Sequence, residues 1–91
     1  MITLHLPEDL AREVGLTSIC QLAQVGSLEE LFAAVERQAP GFLRRVTEPG
    51  GGLRPHLNLF VGERPVARER GLRVALGAHE DVWLLRAVSG G

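Results

Sequence analysis

The residues with the clearest route to chemistry are the last two, Gly90 and Gly91, behind Ser89. A chain-terminal carboxylate is a poor electrophile that reacts only once it is activated. Two residues without Cβ atoms let such a carboxylate thread a narrow channel at φ values closed to other residues. The other candidates are weaker. His5, His56, His79 and Cys20 could ligate a metal, yet their spacings match no zinc pattern, so no metal is expected. Gly50-Gly51-Gly52 is no phosphate cradle, because no strand leads directly into it and no helix follows. No nucleophile–base pair stands out, nor any paired carboxylates with a reason to shift.

A second constellation is apolar. Phe60, Trp83 and Leu85 alternate onto the strand faces opposite the buried ones, with His5 and His56 as possible neighbours. An exposed aromatic patch marks a binding surface, and tryptophan is enriched at binding hot spots. The competing expectation is that the segment 8–18 or the segment 47–54 covers Phe60 or Trp83.

These residues need elements to position them. Ile2, Leu4 and Leu6 alternate with Thr3 and His5, predicting a strand that Pro7 ends. Residues 8–15 read as a loop holding at most one helical turn. A second strand over 18–25 would pair with the first. Ser27 to Ala39 is the clearest helix. Ser27 and Glu30 form a capping box, Leu28, Leu31, Phe32, Val35 and Ala39 form one stripe, and Pro40 stops it. Phe42, Leu43 and Val46 suggest a short further turn, and the run from Glu48 to Gly52 a flexible loop.

The strongest strand runs from Arg54 to Gly62, with Leu57, Leu59 and Val61 on one face and His56, Asn58 and Phe60 on the other. Residues 62–65 should turn it, and Leu72 to Leu76 should form a short edge strand or a turn. The last strand, Val82 to Val88, puts Val82, Leu84, Arg86 and Val88 on one face and Trp83, Leu85 and Ala87 on the other. Strands gathered around one main helix predict an α+β domain spanning 1–91. Its mixed four- to five-stranded sheet carries the helix on one face, and its tail 89–91 is flexible.

Bulk properties narrow the function. A net charge of -1 over 91 residues leaves no footprint for nucleic acid or an anionic membrane. The longest apolar run is far too short for a bilayer span. The chain opens without a basic region and an apolar stretch, so no signal peptide is expected. A lone Cys20 rules out an internal disulfide and fits a reducing, cytoplasmic setting. All ten basic residues are arginine, so an isopeptide bond could be accepted only at the N-terminus.

Five stretches, in this order, carry a resemblance. They are Ser27-Leu28-Glu29-Glu30-Leu31, Glu48-Pro49-Gly50, Asn58-Leu59-Phe60-Val61-Gly62-Glu63, Glu80-Asp81-Val82 and Ala87-Val88-Ser89-Gly90-Gly91. Together they resemble the ubiquitin-like β-grasp sulfur carriers: the molybdopterin synthase small subunit MoaD, the thiamine-pathway carrier ThiS, and the cysteine-synthesis carrier CysO. Length and the extended 47–54 loop bring the chain nearer to MoaD and CysO than to ThiS. Two departures are Arg86, near which relatives commonly carry proline, and Ser89, where alanine or threonine is more familiar.

The resemblance implies a β-grasp fold and a carrier without catalytic activity or a bound cofactor. A ubiquitin-activating-type enzyme would use ATP to adenylate Gly91, with Gly90 making it reachable. Sulfide or persulfide would then yield a thiocarboxylate, and a client enzyme would take its sulfur. Phe60, Trp83 and Leu85 would dock the partners, with Arg86, Val88 and Ser89 beside the tail. The receiving pathway (cysteine, molybdopterin, thiamine or secondary-metabolite sulfur) stays open. So do two other functions: a protein modifier forming isopeptide bonds through Gly91, and a plain β-grasp interaction module.

Overall fold

The computed structural model describes residues 1–87. Ile2–His5 form β1 and Leu57–Val61 form β3, both with alternate side chains buried as the period-two pattern requires. Asp81–Arg86 form β5 with Val82 and Leu84 turned inward. Ile19–Leu22 form β2, and Arg64–Pro65 form β4. The sheet order is β2-β1-β5-β3-β4. β1 and β5 pair in parallel, and every other neighbour is antiparallel. The first and last strands therefore lie side by side, with β5 in the middle of the sheet. This is the mixed sheet expected, at its five-stranded limit.

The main helix, α2 (Leu28–Gln38; α1 is the short helix before it), buries Leu28, Leu31, Phe32 and Val35 against the inner face of the sheet. Ser27 Oγ accepts the Glu30 N–H at 3.2 Å, as the capping box requires. The return bond is displaced by one residue, because Glu30 Oε1 accepts from the Gly26 N–H at 3.1 Å. Beside the cap, Ser27 forms a bridge with Ala75. The residues expected as a short edge strand or a turn, Leu72 to Leu76, form no strand beyond that bridge and complete this cap. The carbonyls of Val74 and Leu72 accept the N–H groups of Leu28 and Glu29 at 2.9 and 3.1 Å. They satisfy two donors that a helix start leaves orphaned.

Two further readings are corrected. Residues 8–15 are not a loop, because Glu8–Val14 form helix α1, which buries Leu10 and Ala11 in the common core. Gly15 closes it at φ 79°, a left-handed cap that glycine adopts without strain. Arg64 and Pro65, expected within a turn, form the edge strand β4 against Phe60 and Val61. An edge is where proline's missing N–H costs no ladder bond. The expected short turn is helix α3, Phe42–Val46. Phe32 and Phe42 meet edge to face with ring centroids 5.2 Å apart. Among the described residues no helix is long and apolar enough to cross a membrane.

Glu36 ties α2 to α3. Its carboxylate accepts the Gly41 N–H at 3.1 Å and the Leu43 N–H at 2.8 Å. Those bonds, the one from Leu43 first, hold its pKa below the ordinary carboxylate value. A depressed native pKa gives stability that is present above the unfolded-state pKa and lost as pH falls through the native one. Glu36→Gln should therefore lower the melting temperature at pH 7. Its deficit against the parent should shrink once pH falls below about 4. A deficit that stays constant across an acid series of melting curves would contradict this role.

Candidate functional site

The strand register assembles one row of side chains across the outer face of the sheet. Ile19 on β2 pairs with His5 on β1, His5 with Trp83 on β5, Trp83 with Phe60 on β3, and Phe60 with Pro65 on β4. Ile19 is 58% exposed, Trp83 38% and Leu85 41%, while Phe60 is half-buried. Trp83 is therefore uncovered, which sets aside the covered alternative for that residue, while Phe60 is only half-exposed. Leu85 extends the patch toward the end of β5, opposite the exposed Asn58. Exposed apolar side chains side by side on a sheet make a contiguous patch, and such patches mark interaction sites.

Trp83 is held from one side. The His5 ring stacks on it with centroids 3.6 Å apart and planes 3° from parallel. His5 Nε2 lies 3.0 Å from Asp81 Oδ1, so Nε2–H donates to the carboxylate. His5 was anticipated as a neighbour of Trp83, but Ile19, Pro65 and Asp81 were not. Asp81 is on β5 two residues before Trp83, so the period of two puts both on the outer face. That spacing was the signal available for it.

Arg86 follows the inward parity of Val82 and Leu84 but sits at the strand's end, where its guanidinium pairs with the Asp9 carboxylate of α1. That bond holds the Asp9 pKa below its usual value. Arg86 thus fastens the start of α1 to the end of the central strand while remaining exposed. Beyond it, the Ala87 N–H donates to the His56 carbonyl at 2.8 Å. Arg68 fixes the same region by donating to the carbonyls of Arg54, Pro55 and Leu57 and to Asn58 Oδ1. Val88, Ser89, Gly90 and Gly91 lie outside the described residues.

The remaining candidates are scattered. Cys20 Sγ donates to the Thr17 carbonyl at 3.2 Å, and burial pushes its thiol pKa up, away from reactivity. His79 lies near the N-terminal amine, 3.4 Å from its Nδ1. Among the described residues no three His, Cys, Asp or Glu side chains gather as a metal site would need.

A mixed five-stranded sheet with parallel central β1 and β5, backed by one main helix, is the β-grasp arrangement of ubiquitin-like proteins. Solved structures bear this out along the whole chain. CysO of Mycobacterium tuberculosis, described as an antigen, superposes with a TM-score of 0.85 at 24% identity, covering 97% of this chain and 100% of that one. The BexX/CysO complex of Amycolatopsis orientalis gives 0.85 at 23% identity, covering all of both chains. SAMP1 from Haloferax volcanii gives 0.75 at 25% identity, covering 99% and 98%. No protein-family model matches the sequence. Nor does any curated protein match it. The fold expected from the resemblance is the fold observed.

Proposed function

We propose that this chain is a sulfur carrier whose Gly91 carboxylate is adenylated by a partner enzyme, converted to a thiocarboxylate, and used as a sulfur donor in biosynthesis. The observation that carries the reading is the end-to-end likeness to two CysO structures at a TM-score of 0.85. The Gly90-Gly91 motif follows the central strand that this fold shares.

The carboxylate oxygen attacks the α-phosphorus of ATP, and pyrophosphate leaves. Hydrosulfide then attacks the acyl carbon, AMP leaves, and the acyl group retains the sulfur. The chain supplies the reacting carboxylate and a surface to hold it by, and its partners supply the catalysis. That division of labour makes it a substrate of enzymes. The outer row is the docking surface, and the client enzyme decides which pathway receives the sulfur. A complex containing the CysO of Amycolatopsis orientalis supports a partner-dependent role.

Pyrophosphate exchange into ATP tests the reading. The host's ubiquitin-activating-type enzyme should catalyse exchange only when this chain is added, and exchange that ignores the chain would refute it. On the same assay, Trp83→Ala should weaken binding to that enzyme by at least about thirtyfold, the scale of a hot-spot residue. Its melting temperature should change little, because Trp83 lies outside the core. A variant that loses stability but not affinity would assign Trp83 to the fold instead.

A second reading has its own support. The likeness to SAMP1, a small archaeal modifier protein, favours conjugation of the activated Gly91 to lysines of other proteins. With no lysine in the chain, such a modifier would form no lysine-linked chains of itself.

A further inference from the structure

Trp83 is the most exposed aromatic side chain at the middle of the outer row, and its orientation is unusually constrained. An indole on an open sheet face ordinarily rotates among several rotamers. Free aromatic pairs prefer offset-stacked or edge-to-face packing over a face-to-face sandwich. Here the His5 and Trp83 rings lie 3° from parallel at 3.6 Å. Two independent restraints account for the geometry. Parallel pairing of β1 with β5 sets His5 directly beside Trp83. The Asp81 carboxylate then fixes the imidazole from the same strand that carries the indole. The His5 side chain is only 17% exposed, so the ring is held between its neighbours rather than presented to solvent.

We propose that His5, clamped by Asp81, is a positioning residue that holds the Trp83 indole in the orientation the activating enzyme meets. His5 makes the docking surface rigid before the partner arrives, so less side-chain freedom is lost on binding. The inference rests on the outer face being the docking surface for that enzyme.

Trp83 is the chain's single tryptophan and there is no tyrosine, so fluorescence excited at the indole band reads this site alone. His5→Ala should open Trp83 to acrylamide quenching and weaken binding of the activating enzyme by about threefold to tenfold, the scale of an aromatic pair. Its melting temperature should stay close to the parent's. His5→Phe, which restores a ring without the Asp81 bond, should recover most of both losses, and Asp81→Ala should fall between. Unchanged quenching or unchanged affinity in His5→Ala, alongside a binding loss in Trp83→Ala, overturns the positioning role and leaves the docking surface standing. If Trp83→Ala itself binds normally, the docking surface is wrong and the positioning role falls with it.

Discussion

Gly90→Ala will slow adenylation and sulfur loading by about a hundredfold, the penalty of misplacing a reacting group by about 1 Å. The melting temperature will stay where it was. The physical argument is steric. A Cβ at this position narrows the conformations open to the chain and adds bulk one residue before the proposed site, whose carboxylate oxygen would meet the α-phosphorus of ATP and whose acyl carbon sulfur would then reach. Ordering each tail residue in a partner's channel already costs about 1–2 kcal/mol, which docking of the folded body must offset. Removing Gly91 goes further and abolishes loading, because the carboxylate then belongs to a different position. Single-turnover loading by the activating enzyme, followed by mass spectrometry, measures both variants. Wild-type loading of Gly90→Ala would remove Gly90 from the mechanism.

Phe32→Ala will strongly destabilise the protein. Phe32 and Phe42 are fully buried, and they join α2 and α3 at the centre of the core. Truncating a buried phenylalanine costs about 3–5 kcal/mol through lost transfer energy and the cavity left behind. A chain of this size has a total stability of about 5–14 kcal/mol. The melting temperature should therefore fall by more than about 10 °C, and Phe32→Leu, which keeps most of the volume, should fall much less. Calorimetry of the three proteins decides it. A small shift in Phe32→Ala would mean that neighbouring side chains collapse into the gap.

The parts legible from sequence were those whose signals are local. The Ser27 cap, the α2 stripe and the alternation in β1, β3 and β5 depend on residues a few positions apart, and they were read correctly. The same alternation put Phe60, Trp83 and Leu85 on the outer face. Helix α1 is hard to read from seven residues whose apolar side chains are only Leu10, Ala11 and Val14, with Gly15 close behind. Its stability comes from burying Leu10 and Ala11 in a core that the other elements build. Glu8 and Asp9 in its first turn, Arg12 in its last, and Gly15 after it were the available signs.

Pairings across long separations were legible only in outline, as the pairing of the second strand with the first and the nearness of His5 to Trp83. Arg86 meets a carboxylate 77 positions away. Ile19 joins the row only through the β1–β2 register, which the weak alternation of that strand does not specify. Leu72 to Leu76 reads as a short edge strand or a turn because it is short and largely apolar. Its backbone bonds instead go to the start of α2, a partner that no periodicity reveals.

The central claim is that the carboxylate of Gly91 carries sulfur, with the strand 81–86 delivering it and the outer row choosing its enzyme. The intact mass of the protein purified from its native cell under sulfur demand tests this most directly, and it also establishes where the polypeptide ends. The account predicts a population heavier than the plain chain by about 16 Da, one oxygen replaced by sulfur, and lost in Gly90→Ala. Only the unmodified mass under those conditions would contradict the carrier, and a branched adduct joining Gly91 to lysines of other proteins would establish the modifier in its place.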